Sequence, residues 1–355
     1  MFESNSIDST IANKLPDIKS MPLEELTQEV VALGLPKFRA KQLYEWMHKK
    51  MVRSYDEMTN IPKDLKEKLK ASYSFTSLKE VEVQESKIDD TKKFLFGLSD
   101  GNVIESVFMK YKFGCSVCIS SQVGCRMGCR FCASTIDGVV RSLLPGEMLD
   151  QIYAISRITG EKISHVVVMG SGEPLDNYDN LLVFIHMLTD KDGMNMSQRN
   201  LTVSTCGIVP KIKELAKEQL SINLALSLHA SNQAKRQELM PIAKSFELSD
   251  VIDACKYYFE KTGRQLTFEY SLVAGVNDTN KDAMELSQLL KGINAIVNII
   301  PVNPIKERDF VAPTRENALA FKNKLEKSGI NVTIRREMGR DIDGACGQLR
   351  RKHLS

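Results

Sequence analysis

The stretch CISSQVGCRMGCRFCAS, residues 118–134, decides how the fold of this chain is predicted. It contains four cysteines, Cys118, Cys125, Cys129 and Cys132, and the last three follow the pattern C-x3-C-x2-C. The run CSVCISSQ that leads into it has the composition of a strand, so the three closely spaced thiols fall in the loop that follows. Thiols at this spacing can reach one metal centre from a single loop. The sequence therefore predicts a metal or cluster site at the carboxyl end of a strand.

The bulk composition is that of an ordinary globular protein. Of 355 residues, 43% are hydrophobic and 26% are charged, and a net charge of +3 is too small to indicate a polyanionic partner by itself. The start, MFESNSIDSTIANKLPDIKS, lacks the apolar region of a signal peptide, and no apolar run approaches the roughly 18 residues of a transmembrane helix. We therefore expect a cytoplasmic protein that contacts no membrane, in which eight cysteines serve metal binding or catalysis rather than disulfides.

Strand-like and helix-like segments alternate from residue 115 onward. Helix-like segments such as PGEMLDQIYAISRITG and LSDVIDACKYYFEKTG lie between most of the β-branched or apolar runs, which are CSVCISS, SHVVVMG, NLTVSTC, SINLALSL, QLTFEYSLV, AIVNIIPV and NVTIRRE. This alternation predicts a parallel sheet with helices outside it, in about six βα units. An α/β fold with a partial (β/α)6 TIM-like barrel is favoured, because nearly every chemically interesting residue directly follows a strand. A doubly wound open sheet is the alternative.

The N-terminal part of the chain is predicted to be helical. Its helix-like segments PLEELTQEVVALG, FRAKQLYEWMHKKM and PKDLKEKLKASY are separated by glycine and proline residues. Between residues 36 and 72, ten Lys or Arg stand against five Asp or Glu, and Phe38, Tyr44 and Trp46 lie among these charges. This region is either a solvated basic face or an RNA-docking surface, and composition alone does not decide between the two.

A β-hairpin is predicted between the helical part and the barrel. KKFLFGLSDGNVIESVFMKYK, residues 92–112, has β-rich runs on both sides of Ser-Asp-Gly, which is a turn signal. Glu105 shares a strand face with apolar residues, and a buried carboxylate is costly without a partner. The predicted division of the chain is an N-terminal helical accessory domain (1–75), a β-rich linker (76–112), the barrel (113–340) and a C-terminal tail (341–355).

Two metal centres are compatible with the cysteine loop. Tetrahedral zinc needs four ligands, and Cys118 could be the fourth. Against zinc, Cys118 lies in the strand-like run rather than in the loop, and zinc motifs usually come as two separated cysteine pairs. Three cysteines can instead hold a [4Fe–4S] cluster with one iron left open for a substrate to chelate.

The cysteine motif, with the aromatic Phe131 before its last cysteine, resembles that of the radical S-adenosylmethionine (SAM) superfamily. The segment GSGEP at 170–174 resembles the GEP segment of the same superfamily. Much of the chain further resembles the RlmN/Cfr family, which methylates adenine in ribosomal RNA, through the motifs CISSQVGCRMGCRFCAS, VVVMGSGEPLDN, LTVSTCGIVP, LALSLHA, IIPVNP and GRDIDGACGQL. This resemblance implies a radical SAM barrel, a [4Fe–4S] cluster in each chain and a SAM-dependent RNA methyltransferase activity.

The resemblance also implies the site residues, motif by motif. The cluster ligands would be Cys125, Cys129 and Cys132. The contacts to SAM would be Gly172, Glu173, Ser204, Ser227, Leu228, His229 and Asn303. Plainer roles remain open for several of them, because a serine can cap a turn, a histidine can be a satisfied core residue and an asparagine before proline can be an ordinary turn residue.

The resemblance implies a chemical detour, because carbon 2 of adenine is electrophilic and cannot attack the SAM methyl group. One SAM would methylate the thiolate of Cys346, and a second, cleaved to a 5′-deoxyadenosyl radical, would remove a hydrogen atom from that S-methyl group. The resulting carbon radical would add to adenine. Glu105 would accept the ring proton, and Cys118 would attack the Cys346 sulfur, leaving a transient disulfide. A Glu105 paired with a nearby lysine is the alternative, while Cys206 and Cys255 are expected to be buried core thiols.

The implied substrate is adenine 2503 of 23S ribosomal RNA, at the peptidyl-transferase centre, and in some family members adenine 37 of transfer RNA. The implied partners include an electron donor such as flavodoxin or ferredoxin, and we expect a monomer. One branch of the family instead methylates carbon 8 and confers antibiotic resistance. Val123 in SSQVGC, where that branch resembles SSQCGC, and Pro174, where it tends to have alanine, favour carbon 2.

Overall fold

The computed structural model describes residues 15–303, 309–336, 338–342 and 347–354. The helices are α1 (Leu23–Ala32), α2 (Phe38–His48), α3 (Lys63–Ser72), α4 (Pro145–Thr159), α5 (Tyr178–Thr189), α6 (Val209–Leu215), α7 (Gln233–Leu239), α8 (Leu248–Thr262), α9 (Asn280–Leu289), α10 (Arg315–Lys327) and α11 (Gln348–Leu354). The strands are β1 (Lys79–Glu85), β2 (Lys92–Gly97), β3 (Val103–Tyr111), β4 (Gly114–Ile119), β5 (Gln122–Gly124), β6 (Val139–Ser142), β7 (Ile163–Val168), β8 (Leu201–Thr205), β9 (Asn223–Ser227), β10 (Leu266–Leu272), β11 (Ala295–Pro301) and β12 (Asn331–Ile334).

One large sheet organises the described residues. Its strand order is β1-β2-β3-β4-β7-β8-β9-β10-β11-β12. The pairs from β1 to β4 are antiparallel, whereas β4 and β7 to β12 are parallel, with helices in each connection between consecutive parallel strands. The parallel strands follow one another in chain order, without the reversal that defines a doubly wound sheet. This confirms the predicted barrel-like α/β fold, made of six strand–helix units and a closing strand.

Alternate residues of the parallel strands face two different environments. Val117, Ile119, Val166 and Val168 point one way and belong to the main hydrophobic core. Cys118, the residue between the first two, faces the other way, into a cavity. The two-residue period of a strand therefore separates a face that holds the fold together from a face that is free to carry chemistry.

The N-terminal helices dock on the barrel through a buried ion pair. Lys19 Nζ lies 2.7 Å from Asp150 Oδ1 of α4, and both side chains are almost completely buried. A buried pair of this kind fixes geometry, because either charge alone would be costly to bury. The three predicted helices are confirmed as α1, α2 and α3, while their boundary as a separate domain stays a prediction.

The predicted hairpin is also present. β2 and β3 pair antiparallel around residues 98–102, as the Ser-Asp-Gly signal indicates. The structure adds β1, which extends the hairpin, and a small separate sheet of β5 and β6 at the cysteine loop. No described helix has the length and hydropathy needed to cross a membrane.

Candidate active site

A cavity of about 720 Å³ opens at the carboxyl ends of the parallel strands. Two of the sequence-predicted site residues do not line this cavity. Leu228 is fully buried in the core, and Glu105 lies beside the cavity rather than in its wall. Cys346 lies outside the described residues. The sequence-predicted residues that line the cavity are Cys118, Cys125, Cys129, Cys132, Gly172, Glu173, Ser204, Ser227, His229 and Asn303. Residues spread over most of the barrel sequence thus share one space.

The cysteine loop is held in a compact conformation by its own backbone. The N–H of Cys132 donates to the carbonyl of Cys129 at 3.1 Å, and the Thr135 hydroxyl lies 3.0 Å from that same carbonyl. The N–H of Cys125 donates to the carbonyl of Gly138 at 2.9 Å, next to the β5–β6 ladder. The loop is therefore preorganised to present three thiols to one cavity.

The chemistry of these thiols fits a cationic centre. Burial raises the pKa of Cys125 to about 12, with the neighbouring Cys132 adding to the shift. Burial, again with Cys132, raises the pKa of Cys129 well above its ordinary value. Neutral thiols are poor metal ligands, and a bound metal reverses this by stabilising thiolates. No described group of three or more His, Cys, Asp or Glu converges on a single metal ion, but ligands to a four-iron cluster each bind a different iron.

Gly172 lets the GSGEP segment pass close to the end of β4. It has a φ of 106°, and a Cβ there would lie 2.7 Å from the backbone nitrogen of Gln122. The neighbouring Ser171 carbonyl accepts N–H bonds from Ser121 and Gln122 at 2.9 and 3.1 Å. Only glycine satisfies both the backbone conformation and the close approach.

Glu173 is a buried carboxylate tied to backbone donors. It accepts an N–H bond from Cys206 at 2.7 Å and one from Leu175 at 3.0 Å. Burial raises the pKa of Glu173 above its ordinary value, while these donors act in the opposite direction. The carboxylate is thus fixed in the cavity wall, between the cysteine loop and the end of β8.

Polar groups at the ends of β8 and β9 complete the wall. The hydroxyl oxygens of Ser204 and Ser227 are 3.4 Å apart. His229 has an unusual φ of 56°, and its Nδ1 accepts the N–H of Ser271 at 2.9 Å. Burial, with a smaller contribution from the positive Arg236, lowers the pKa of His229 to about 3. The imidazole is therefore neutral, with its remaining proton on Nε2.

Glu105 forms an ion pair with a nearby lysine, which the sequence analysis gave as an alternative role for this residue. Its Oε2 lies 3.2 Å from Nζ of the buried Lys93. Its carboxylate also accepts N–H bonds from Gly347 at 2.7 Å and from Arg350 at 2.5 Å. The carboxylate of Glu105 therefore has two kinds of partner: the ammonium group of Lys93, and the backbone N–H of Gly347, the residue that follows Cys346 in the sequence. Its role as a proton acceptor stays a prediction.

Sequence reasoning missed several residues of the cavity wall. Cys206 is buried, as expected, but it also lines the cavity. Glu269, on β10, is 7% exposed, and its Oε2 accepts from Asn298 Nδ2 at 2.9 Å. Arg335 and Arg336 line the cavity beyond β12 and are exposed. The signal that could have found them is their position at or just after a strand, where barrel sites are built.

Comparisons with known proteins agree with this geometry. The family profile "Ribosomal RNA large subunit methyltransferase N-terminal domain" matches residues 16–74, and "Radical SAM superfamily" matches residues 119–287. A "Probable dual-specificity RNA methyltransferase RlmN" of Lachnospira eligens is 61% identical over 340 residues, which cover 96% of this chain and 97% of that protein. A protein of the same name from Lachnoclostridium phytofermentans is 59% identical, with 95% of each chain covered.

A solved structure shows the same fold. The crystal structure of a radical SAM methyltransferase from Sphaerobacter thermophilus superposes with a TM-score of 0.91 at 39% sequence identity, over 94% of this chain and 98% of that one. The match to the radical SAM superfamily, which spans the cysteine loop, favours the [4Fe–4S] cluster over the zinc site that the cysteine spacing left open. Membership implies a [4Fe–4S] cluster, SAM and an RNA substrate. The chain belongs to the RlmN family of radical SAM RNA methyltransferases.

Proposed function

We propose that this enzyme methylates carbon 2 of an adenine in 23S ribosomal RNA, at the family position adenine 2503, and adenine 37 of some transfer RNAs. The observation that carries the proposal is the single cavity into which the cysteine loop, the separate thiol of Cys118 and the polar strand ends all open. Val123 and Pro174 favour carbon 2 over carbon 8. The name "dual-specificity RNA methyltransferase", which the relatives carry, supports a second specificity.

The cofactors of this proposal are one [4Fe–4S] cluster per chain and two SAM molecules per methylation. Cys125, Cys129 and Cys132 would hold the cluster, which supplies the electron that cleaves SAM. The cavity wall would bind SAM, with Glu173 accepting from its amino group and the hydroxyls of Ser204 and Ser227 meeting its other polar atoms. Further contacts to SAM would come from the backbone of Gly172, from packing of Leu228, and from the side chains of His229 and Asn303.

Two further thiols would carry and release the methyl group. Cys346, among Gly344, Ala345 and Gly347, would hold the carbon as an S-methyl group and later as a thioether to the base. Cys118 is 6% exposed on the cavity-facing side of β4. Its sulfur would attack the Cys346 sulfur, which frees the methylated base and leaves a Cys118–Cys346 disulfide that an external donor must reduce with two electrons. Glu105 would accept the ring proton, beside the residue that follows Cys346.

RNA would approach a positively charged mouth. Arg335 and Arg336 are exposed at the cavity, where the charge of Arg335 acts on the buried carboxylate of Glu269. Lys49, Lys50 and Arg53 are exposed on the N-terminal helical part. Phosphate contacts from both surfaces would place the target base over the cavity. The flavodoxin or ferredoxin donor, the monomeric state, the cytoplasmic location and the four-part division of the chain stay predictions.

Mass analysis of modified nucleosides from a deletion strain tests the proposal. The deletion should remove 2-methyladenosine from 23S ribosomal RNA and from transfer RNA, and a plasmid copy of this chain should restore both. Appearance of 8-methyladenosine on complementation would assign the chain to the carbon 8 branch. Unchanged 2-methyladenosine in the deletion strain would reject the proposed substrate.

A further inference from the structure

Arg236, on α7, is a fully buried arginine that the site description does not use. Its side chain is 0% exposed. Its Nη2 donates to the carbonyl of Cys206 at 2.6 Å and lies 3.4 Å from the carbonyl of Ser227. Its Nε and Nη1 are buried without any hydrogen-bond partner among the described residues. Buried polar groups are nearly always satisfied, so two unsatisfied donors on one side chain call for an explanation.

The charge of Arg236 is also uncompensated. Among the described residues, the ionisable groups that act on it are the thiols of Cys206, Cys129 and Cys255, and no carboxylate is among them. Burial lowers the pKa of Arg236, but a guanidinium stays charged in proteins. A buried cation without an anion is strongly destabilising. The buried carboxylate of Glu173 accepts the N–H of the same Cys206 whose carbonyl binds Arg236, but among the described residues it forms no ion pair with Arg236. The guanidinium therefore has no anion in direct contact, and the functional protein should supply one.

The elements around Arg236 form the floor of the cysteine loop. The N–H of Arg130, inside the loop, donates to the carbonyl of Leu239 at the end of α7, at 2.9 Å. Cys129 packs with Leu239 and Met240 in one apolar cluster. The unpaired cation thus lies behind the loop that would hold the cluster, in an apolar region where its field is weakly screened.

We propose that Arg236 is the counter-charge of the [4Fe–4S] cluster and sets its reduction potential. The inference rests on the proposed function, which gives the cluster to Cys125, Cys129 and Cys132. Three thiolates make the bound centre negative, and one electron from an external reductant adds one more negative charge. A fixed buried cation stabilises the reduced form more than the oxidised form, which raises the potential. Arg236 acts through the cluster and touches no substrate, so it is a positioning residue.

A purely structural role is the competing explanation. Arg236 also joins the backbone after β8 to the end of β9 through the carbonyls of Cys206 and Ser227. In that case its loss would destabilise the protein with or without cluster and would leave the potential unchanged. Potential and cluster-dependent stability therefore separate the two roles, while methylation activity alone would not.

The test compares Arg236→Met with Arg236→Lys, which keeps the charge, and with Arg264→Met as a control. Arg264 is a half-buried arginine on the same barrel that bonds Asn223, away from the cavity. Each protein is reconstituted anaerobically, its iron is counted, and its cluster is titrated with dithionite while the reduced form is followed by electron paramagnetic resonance. Thermal unfolding is recorded before and after reconstitution.

We expect Arg236→Met to hold iron but to be reduced at a lower potential. A tenfold loss in the reduction equilibrium corresponds to about 59 mV for one electron. The rise in Tm on reconstitution should be smaller than in the wild type, whereas Arg236→Lys and Arg264→Met should keep both values. An unchanged reduction potential would overturn the inference. So would an Arg236→Met protein whose Tm is lowered by the same amount with and without the cluster. A wild-type protein that takes up no iron would instead refute the proposed function.

Discussion

At the scale of single residues, the cysteines have the same side chain but differ in their surroundings, and the surroundings decide which thiols can react. No disulfide bond joins two of the described cysteines. Cys255 is fully buried in α8 within the main core, and Cys115 lies against Glu161, with 3.8 Å between its sulfur and Oε2. Cys118 faces the cavity from a strand, and the cysteine loop presents its three thiols from a turn. Access to the cavity, rather than the residue type, decides which thiols can react.

The two thiols proposed to handle the methyl group should fail in different ways. Cys346→Ala removes the carrier, so neither methylation nor an RNA adduct should form. Cys118→Ala keeps the carrier and removes the group that resolves the thioether, so protein should accumulate covalently bound to RNA. The adduct should run as a slow, nuclease-sensitive species on a denaturing gel after expression in cells. Absence of this species from Cys118→Ala, where wild type methylates, would contradict the division of labour.

Loss of any one loop cysteine should abolish the cluster. Alanine at Cys125, Cys129 or Cys132 removes one of only three proposed protein ligands, so iron content and absorbance near 400 nm should fall together with SAM cleavage. Cys115→Ala is the matched control, because that thiol is buried on β4 but faces away from the cavity. A loop variant with full iron content and activity would show that the ligand assignment is wrong.

Gly172 should tolerate no side chain. Alanine would place a Cβ 2.7 Å from the backbone nitrogen of Gln122 and would displace the segment that carries Glu173. We expect Gly172→Ala to bind SAM at least about tenfold more weakly, a loss of about 1.4 kcal/mol, in equilibrium dialysis of the reconstituted protein. Gly263→Ala has a similar positive φ but open space around its Cβ, so it should lose stability and keep SAM affinity. Equal SAM affinity in both variants would contradict the close approach.

At the scale of elements, the sequence predicted those with strong periodicity. The parallel strands are short apolar runs, and the helices between them carry amphipathic patterns, so both could be recognised locally. β1 was not predicted as a separate strand within the β-rich linker, because four of the seven residues of KEVEVQE are charged and the strand pairs only as an extension of the hairpin. β5 and β6 are three and four residues long. Strands this short are stabilised by the loop around them, and no local pattern reveals them.

The contact between α2 and α4 is built from buried polar groups. His48, on α2, is completely buried, and its Nδ1 lies 3.0 Å from the hydroxyl of Tyr153 on α4. Its Nε2 has no partner among the described residues. Burial, and secondly the positive charge of Lys19, lowers the pKa of His48 to about 3. This interface therefore requires a neutral imidazole.

Acid should weaken the protein through His48. The unfolded chain binds a proton at this residue below about pH 6.5 and the folded chain only near pH 3, so stability is present above pH 6.5 and is lost as the pH falls through that window. The slope from one such histidine approaches about 1.4 kcal/mol per pH unit. The free energy of unfolding is measured with denaturant at pH 7 and pH 5, and it should fall less between these pH values in His48→Gln than in the wild type. In the exposed His186→Gln control it should fall as much as in the wild type. A fall in His48→Gln as large as that of the wild type would refute the argument.

At the scale of the whole molecule, motif resemblance identified the site residues, and their position at or after successive strands predicted that they share one site. Ser204, Ser227, His229 and Asn303 line one cavity, because successive strand ends meet at one edge. Position after a strand could not pair Lys93 with Glu105, or show that Glu173 accepts the N–H of Cys206, since such contacts join distant parts of the chain. The assignment of individual roles came from motif resemblance, and geometry alone would not have given it.

Charge is distributed unevenly although the net charge is small. Many lysines and arginines of the barrel pair with carboxylates, as Lys235 does with Asp282 at 2.5 Å. The exposed Arg335, Arg336, Lys49 and Lys50 form no direct ion pair with a described carboxylate. Arg335 acts on Glu269 and Lys49 acts on Asp192 only through their charge, and Lys50 lies 3.4 Å from the ring centre of Trp46. Unpaired cations are the ones that can release counterions from phosphates.

Neutralising these cations should lower both the affinity for RNA and its dependence on salt. Each lost phosphate contact should reduce the slope of log affinity against log salt by about one. We therefore expect Lys49→Gln, Lys50→Gln and Arg53→Gln combined, and separately Arg335→Gln with Arg336→Gln, to bind an rRNA fragment more weakly at low salt; Arg53 is included although it forms an exposed ion pair with Glu57 at 3.3 Å. Lys256→Gln, Lys261→Gln and Lys281→Gln combined remove three charges from the outer helices α8 and α9 and are the control for the triple variant, and Lys256→Gln with Lys261→Gln is the control for the double variant. A control with the same slope change would show that net charge alone attracts RNA, while unaltered slopes in both test variants would show that these surfaces are merely solvated.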